Sequence, residues 1–359
     1  MNESDYYQYR KYKTKYKNLK NTYIEHKNTK KLTLNTMSGG SVLNILKSYL
    51  ETTDAQSCMI LQNSQVIFEY GITSKPERVA SVRKSILAIL YGMYDINLTQ
   101  TLAELNIDDK IKLSDNEKKA TIADILTARS GVYHAPGNQY KTQIPPIRES
   151  HSHGTYWYYN NWDFNVAGTI FEQITKVNIY DALYSLGQII DFKDYSADDA
   201  KTQKQMTADI DITKVPSFHQ PYHFNLSARD MAQIGLLMLN NGKYNTKQVV
   251  SEDWVKRITS LVTSYEEVYT TDPSRKIIYG YGYMWWVYDT KNQNDPLYGA
   301  YRAQGLDEQY ITVIPKTKIV IVAKGKIKDG KNISNIDTNK TNIPINMAFI
   351  ERLINSFYY

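Results

Sequence analysis

Ser81 and Lys84 stand three residues apart in Val79-Ala80-Ser81-Val82-Arg83-Lys84-Ser85, at the head of the apolar run Ile86-Leu87-Ala88-Ile89-Leu90. Residues at that spacing share one helix face. A helix beginning near Ser81 would place its unpaired amides and positive dipole end beside the hydroxyl, with the Lys84 amine one turn away and close enough to take the proton. A hydroxyl beside a base is the arrangement of an acyl-transfer nucleophile. Ser-x-x-Lys is a short pattern, so its meaning depends on what the rest of the chain places around it.

The surrounding elements can be read from periodicity. Val42 to Leu50 suggests a helix, and Ser57-Cys58-Met59-Ile60-Leu61 and Gln65-Val66-Ile67-Phe68-Glu69-Tyr70 read as two strands around a tight turn at Gln62-Asn63-Ser64. From about residue 96 to 265 helical patterns dominate, among them Ile122 to Ala128, Asn165 to Ile174, Ala228 to Leu239 and Glu252 to Ser260. Strand signals return late, at Tyr281 to Val287, Tyr310 to Ile314 and Lys318 to Val322, with Pro315-Lys316-Thr317 as a hairpin turn before the last. Pro344 to Phe357 reads as an amphipathic helix. An early hairpin and late strands with helices between them predict an α+β fold: one antiparallel sheet completed by both ends of the chain, flanked by helices, with an all-helical insert. The expected division is a tail over 1–38 and a main domain over 39–359, whose sheet-bearing part is 39–95 plus 270–359 and whose helical insert is about 96–269.

Of 359 residues, 42% are hydrophobic and five are Trp, as befits a globular protein able to bury a sizeable core. The net charge of +6 sits entirely in residues 1–36; the remainder carries equal numbers of basic and acidic side chains, which argues against a broad nucleic-acid surface on the main domain. In the tail, Tyr9, Tyr12, Tyr16, Leu19 and Tyr23 recur at heptad spacing among lysines, a pattern that suits a solvated basic helix or a docking segment, before Met37-Ser38-Gly39-Gly40-Ser41 reads as a linker. Cys58 is the only cysteine, so no internal disulfide or thiolate cluster is expected. No apolar run is long enough for a membrane span, and no signal peptide is recognised; the compartment stays open.

Further motifs give the Ser-x-x-Lys pattern its context. Tyr159-x-Asn161, with Phe164 and Gly168 following, and Ala303-Gln304-Gly305, followed by Gln309-Tyr310-Ile311-Thr312-Val313-Ile314-Pro315, resemble the second and third motifs of serine hydrolases related to class C β-lactamases and penicillin-binding proteins. Thr121 to Gly131, Ser227-Ala228-Arg229-Asp230-Met231-Ala232 and Gly280 to Trp286 resemble other landmarks of that family, in the same order, so that the resemblance spans roughly residues 42 to 355. It implies a β-lactamase/transpeptidase-like fold and an acyl-enzyme mechanism on an ester or amide, small or peptide-like, with no cofactor and no metal. Ser81 is then the nucleophile, Lys84 the base or the field that lowers the hydroxyl pKa, Tyr159 the proton shuttle and Asn161 the group that orients Lys84 and the substrate; Ala303, Gln304, Gly305 and Leu306 would line the substrate site. The oxyanion would be held by the Ser81 N–H and one from Gly305 or Leu306.

Two departures bear on substrate. Family members that act as β-lactamases or D,D-peptidases commonly bind a substrate carboxylate with a third-motif cation, and Ala303 supplies none; where the family usually has Gly-Gly, this chain has Asp307-Glu308. The tail ending in Met37-Ser38-Gly39-Gly40 resembles N-terminal segments of proteins from giant viruses of amoebae, which leaves a virion or interaction protein that kept the fold without catalysis as the reading of another class. Among the other titratable residues, His151 and His153 are weak metal candidates and His134 reads as a structural histidine near the cleft. Arg83 and Arg302 flank the motifs and could meet a substrate carboxylate or form structural ion pairs.

Overall fold

The computed structural model describes residues 39–138, 144–271, 278–327 and 344–358; the heptad-spaced tail lies outside the described residues. The chain divides into two compact units, Met1–Tyr49 and Leu50–Tyr359. Helix α1 (Gly39–Leu50), which belongs to the first except for its last residue, carries Val42 and Leu46 as buried positions four apart, the repeat of one helix face.

The second unit is built on a seven-stranded antiparallel sheet. Its strands are β1 (Ala55–Gln62), β2 (Gln65–Gly71), β7 (Tyr279–Tyr281), β8 (Trp286–Tyr288), β9 (Tyr301–Gly305), β10 (Gln309–Ile314) and β11 (Ile319–Gly325). Their spatial order is β2-β1-β11-β10-β9-β8-β7. The early hairpin thus pairs with the last strand, Ile60 opposite Ile321 and Leu61 opposite Val320, as the hydrophobic pattern at both chain ends predicts. Every residue of β11 is buried because both faces of the sheet are covered.

Alternation along the central strands sends each residue to its own layer. Ile311, Val313, Val320 and Val322 join the main core beneath α7 (Ala228–Leu239), where a Cβ on Gly235 would fall 2.4 Å from Val320 Cγ1. Glycine is what lets that helix sit so close to the sheet. On the opposite face Thr312 Oγ1 donates to Glu351 Oε1 at 3.0 Å and Thr317 Oγ1 to Asn355 Oδ1 at 3.0 Å, both on the closing helix α10 (Met347–Tyr358). Arg302 Nη1 lies 3.6 Å from Glu351 Oε1 and its guanidinium 4.1 Å over the Tyr279 ring, so Arg302 takes the structural alternative of the two offered by the sequence.

The region between the two halves of the sheet is built on helices. It contains α3 (Ile122–Leu126), α4 (Asn161–Thr175), α5 (Ile179–Ile190), α6 (Ala197–Ala208), α7, α8 (Glu252–Ile258) and α9 (Tyr265–Thr271), and adds two short ladders. One joins β3 (Glu77–Arg78) to β4 (Asn225–Leu226); the other joins β5 (Lys243–Tyr244) to β6 (Lys247–Gln248). The expected single strand over Tyr281 to Val287 is instead a hairpin: β7 and β8 pair Tyr281 with Trp286, the Gly282 N–H donates to Trp285 O at 2.8 Å, and Met284 turns the chain at φ 60°. Both arms and the turn are aromatic and apolar, so no polar break marks the reversal in sequence. Among the described residues no helix is long and apolar enough to cross a membrane.

Candidate active site

Helix α2 (Val82–Met93) starts immediately after Ser81, which is its N-cap residue yet uses no side-chain capping bond. The hydroxyl is therefore not spent on the helix's own amides. Ala80 precedes it with φ 48°, a left-handed conformation that a residue with a side chain adopts at a cost, and the kink lifts Ser81 to a partly exposed position while residues 82–91 are buried. Val79 N–H donates to Phe224 O at 2.9 Å, tying the approach to the nucleophile to the segment before β4.

Lys84 is 2% exposed, and its Nζ reaches Ser81 Oγ at 3.1 Å, Tyr159 Oη at 2.9 Å and Asn161 Oδ1 at 3.0 Å. Three acceptors match the three protons of an ammonium; in the neutral amine one of those positions becomes a lone pair facing a hydroxyl. The nitrogen also lies 4.1 Å from the ring centroids of both Tyr159 and Phe164. Tyr159 is stacked against Trp286 with centroids 5.7 Å apart, and Trp157 and Tyr281 pack edge-on around the pair. This aromatic nest removes water from Lys84, and desolvation disfavours a lysine's charged form.

Asn161 opens α4, which begins four residues before the periodicity predicts. The reason is a brace that the apolar pattern does not reveal. Asn160 is the N-cap, its Oδ1 accepting from the Trp162 N–H at 3.1 Å and its Nδ2 donating to Val132 O at 2.6 Å and to Asp163 Oδ1 at 2.9 Å. Asp163 Oδ1 also accepts from Ser130 Oγ at 2.6 Å, and burial pushes the Asp163 carboxyl well above the usual range. Asn before a Trp-Asp first turn was the available signal for it. The brace fixes Tyr159 and Asn161 from below, while Ser85 Oγ, donating to Met284 O at 2.6 Å, fixes α2 against the β7–β8 hairpin.

The third motif lies on β9. A Cβ on Gly305 would fall 2.5 Å from Val79 O and 2.9 Å from Ser81 N, so only glycine lets this strand run against the nucleophile's amide. Ala303 is fully buried, the Gln304 side chain is partly buried with Oε1 unpartnered among the described residues, and Leu306 is 56% exposed at the turn after the strand. That turn is Asp307-Glu308, both left-handed at φ 55° and 54°, clamped by Gln309 Nε2 donating to Asp307 O at 2.7 Å and Gly325 O at 3.0 Å. The structure thus brings together Ser81, Lys84, Tyr159, Asn161 and the Gly305 end of β9, and leaves the Leu306 side chain outside that cluster.

The histidines do other work. His134 Nε2 lies 3.2 Å from Glu117 Oε1, with burial pushing its pKa down. His151 stacks on Tyr156 with centroids 3.9 Å apart, while His153 Nδ1 is 3.3 Å from Asp124 Oδ2. Among the described residues no group of three or more His, Cys, Asp or Glu side chains is placed to hold a metal ion.

The family model described as Beta-lactamase matches residues 75–324, from the approach to Ser81 to Lys324 in β11. Solved structures with the same fold include the simvastatin synthase LovD from Aspergillus terreus, 12% identical with a TM-score of 0.59 over 88% of this chain and 96% of that one. EstCE1, a hydrolase with promiscuous acyltransferase activity, is 11% identical with a TM-score of 0.58 over 89% and 98%. An octameric penicillin-binding protein homologue from Pyrococcus abyssi is 14% identical with a TM-score of 0.56 over 80% and 73%. No curated protein matches the chain.

Proposed function

The chain belongs to the beta-lactamase family, and on that premise we propose that it is a serine hydrolase that forms an acyl-enzyme on an ester or amide. The observation that carries this reading is the buried Lys84 Nζ in contact with Ser81 Oγ, Tyr159 Oη and Asn161 Oδ1 at 3.1, 2.9 and 3.0 Å. Neutral Lys84 takes the Ser81 proton as Oγ bonds to the substrate carbonyl carbon, whose π electrons move onto oxygen. The Ser81 N–H and one from the Gly305–Leu306 end of β9 receive that oxyanion. Collapse expels the alkoxide or amine, which takes a proton from Tyr159, reprotonated in turn by Lys84. Water then repeats the sequence on the acyl-enzyme, releasing the acid and restoring Ser81.

Esters and simple amides rank ahead of penicillins and D,D-peptides as substrates, since Ala303 brings no cation to the third motif. A micromolar Michaelis constant for nitrocefin would reverse that order. The tail, with its resemblance to giant-virus segments, fits a docking role and a viral origin; unchanged location and oligomeric state after removal of residues 1–36 would count against the docking. The decisive experiment on the chemistry is intact mass after fluorophosphonate treatment, beside Ser81→Ala. One adduct on the native protein and none on the variant is expected; a folded native protein that stays unmodified sinks the hydrolase reading and leaves a non-catalytic protein that retains the fold.

A further inference from the structure

Next to Lys84 in sequence, Arg83 is equally buried, at 2% exposed, and meets a different set of groups. Its guanidinium lies 4.2 Å over the Tyr222 ring, which is itself pressed against α4 so closely that a Cβ on Gly168 would fall 3.0 Å from Tyr222 Cδ1. Its Nη2 reaches Asn165 Oδ1 only at 3.4 Å, and Nη1 is buried with no hydrogen-bond partner among the described residues, although the guanidinium also pulls on the Tyr222 hydroxyl against the effect of burial. Among the described residues no carboxylate forms an ion pair with it, so of the two alternatives that the sequence offered for Arg83 the structural ion pair does not account for its charge.

A second orphan adjoins it. His223, the residue after Tyr222, is half-buried, its N–H donates to Tyr180 Oη at 3.2 Å, and its Nδ1 is buried without a partner among the described residues. Pairing of Arg78 with Asn225 and of Val79 N–H with Phe224 O sets the chain around His223 alongside the two residues that lead to Ser81. Burial, then the neighbouring charges of Arg83, Arg78 and Lys84, push the His223 imidazole down to about 3. A buried guanidinium without a counter-charge is strongly unfavourable. Water could bridge Nη1, but water does not neutralise it; a guanidinium fork with one nitrogen unpartnered and the other weakly held matches a carboxylate.

We propose that Arg83, with His223 donating from Nδ1, forms a subsite for a carboxylate beside the Ser81–Lys84 pair. The carboxylate comes either from the acyl part of the substrate, in which case the subsite deepens the hydrolase reading and rests on it, or from a small free acid. The two sources separate in one set of measurements on the full chain. The first compares 4-nitrophenyl half esters of succinate, glutarate and adipate with the butyrate, pentanoate and hexanoate esters, after subtraction of the enzyme-free rates. At least one half ester is expected to exceed its uncharged partner tenfold or more in kcat/KM, with that ratio collapsing toward one in Arg83→Met and returning in part in Arg83→Lys. The second reads the thermal midpoint of Ser81→Ala in sodium acetate against sodium chloride at equal ionic strength, and does not depend on catalysis. An acetate-specific rise that Arg83→Met removes, without a half-ester preference, assigns the subsite to a free acid. If Arg83→Met fails to fold, His223→Gln takes its place in both arms. If no ester is cleaved, the hydrolase reading fails alone and acetate still decides the subsite. Neither a half-ester preference nor an acetate-specific shift overturns it.

Discussion

Among the described residues two lysines are buried to almost the same degree, Lys84 at 2% and Lys324 at 1% exposed, and they sit in opposite kinds of surroundings. Lys84 meets the hydroxyls of Ser81 and Tyr159, groups that can give up and receive a proton. Lys324, on β11, donates to Leu226 O at 2.6 Å and Glu77 O at 3.2 Å, carbonyls that can do neither. Its ammonium fastens the β3–β4 ladder, three residues before Ser81, to the sheet. Burial pushes it down to about 8, against the smaller pull of Glu77 and Asp230. Burial alone thus does not make a lysine chemical; what its nitrogen touches does.

The largest effect that would break this comparison lies at the first lysine. Lys84→Met and Ser81→Ala should each lower kcat/KM for any ester substrate by about 10³-fold or more, and Lys84→Arg should not restore it, because a guanidinium does not act as a base. An active Lys84→Met would remove the distinction between the two lysines. Tyr159→Phe, which keeps the stacking on Trp286, should cost roughly 10²-fold to 10⁴-fold in the same assay.

At the second lysine the expected readout is stability. Lys324→Met strips two carbonyls of their donor and should cost about 1–3 kcal/mol in denaturant unfolding, with kcat/KM changing only several-fold. The pH profile sharpens the contrast. Between about pH 8 and 10.5 the unfolded chain still holds the Lys324 proton that the folded chain has released. Stability attributable to this residue therefore rises with pH across that window, by about 3 kcal/mol, and the rise should vanish in Lys324→Met. A smaller effect is expected at the brace beneath Tyr159. Asp163→Asn preserves the shape of a carboxyl that burial biases towards its neutral form, and should change neutral-pH stability by less than about 1 kcal/mol, whereas Asn160→Ala, which removes the cap and two donors, should cost more.

What the sequence makes legible is what local pattern carries. The spacing of Ser81 and Lys84, the Gln65–Gly71 partner strand and the β10–β11 hairpin each lie within one or two adjoining elements, and their periods of three to four and of two agree with the structure. The β7–β8 reversal was hidden by aromatic residues on both arms and in the turn. Lys324 falls just past the strand that the sequence predicts to end at Val322, and its acceptors belong to Leu226 and Glu77, 98 and 247 positions away; Arg83 stays open to a substrate carboxylate or an ion pair until Tyr222 and Asn165 are seen against it. No window on the chain contains those neighbours, so burial of a charge at either position is a tertiary fact.

The pairing of Ala55 with Gly325 also has a temporal side. On the ribosome, β1 and β2 emerge before α2 with Ser81, yet β11, which flanks β1 on its other side in the finished sheet, follows all the other described strands. Until β11 leaves the exit tunnel, β1 presents an open edge of Cys58, Met59, Ile60 and Leu61 that is liable to pair with a neighbouring chain. The same delay keeps β9 from reaching Ser81, so a chain interrupted before residue 305 holds its serine and lysine without the strand that completes their site.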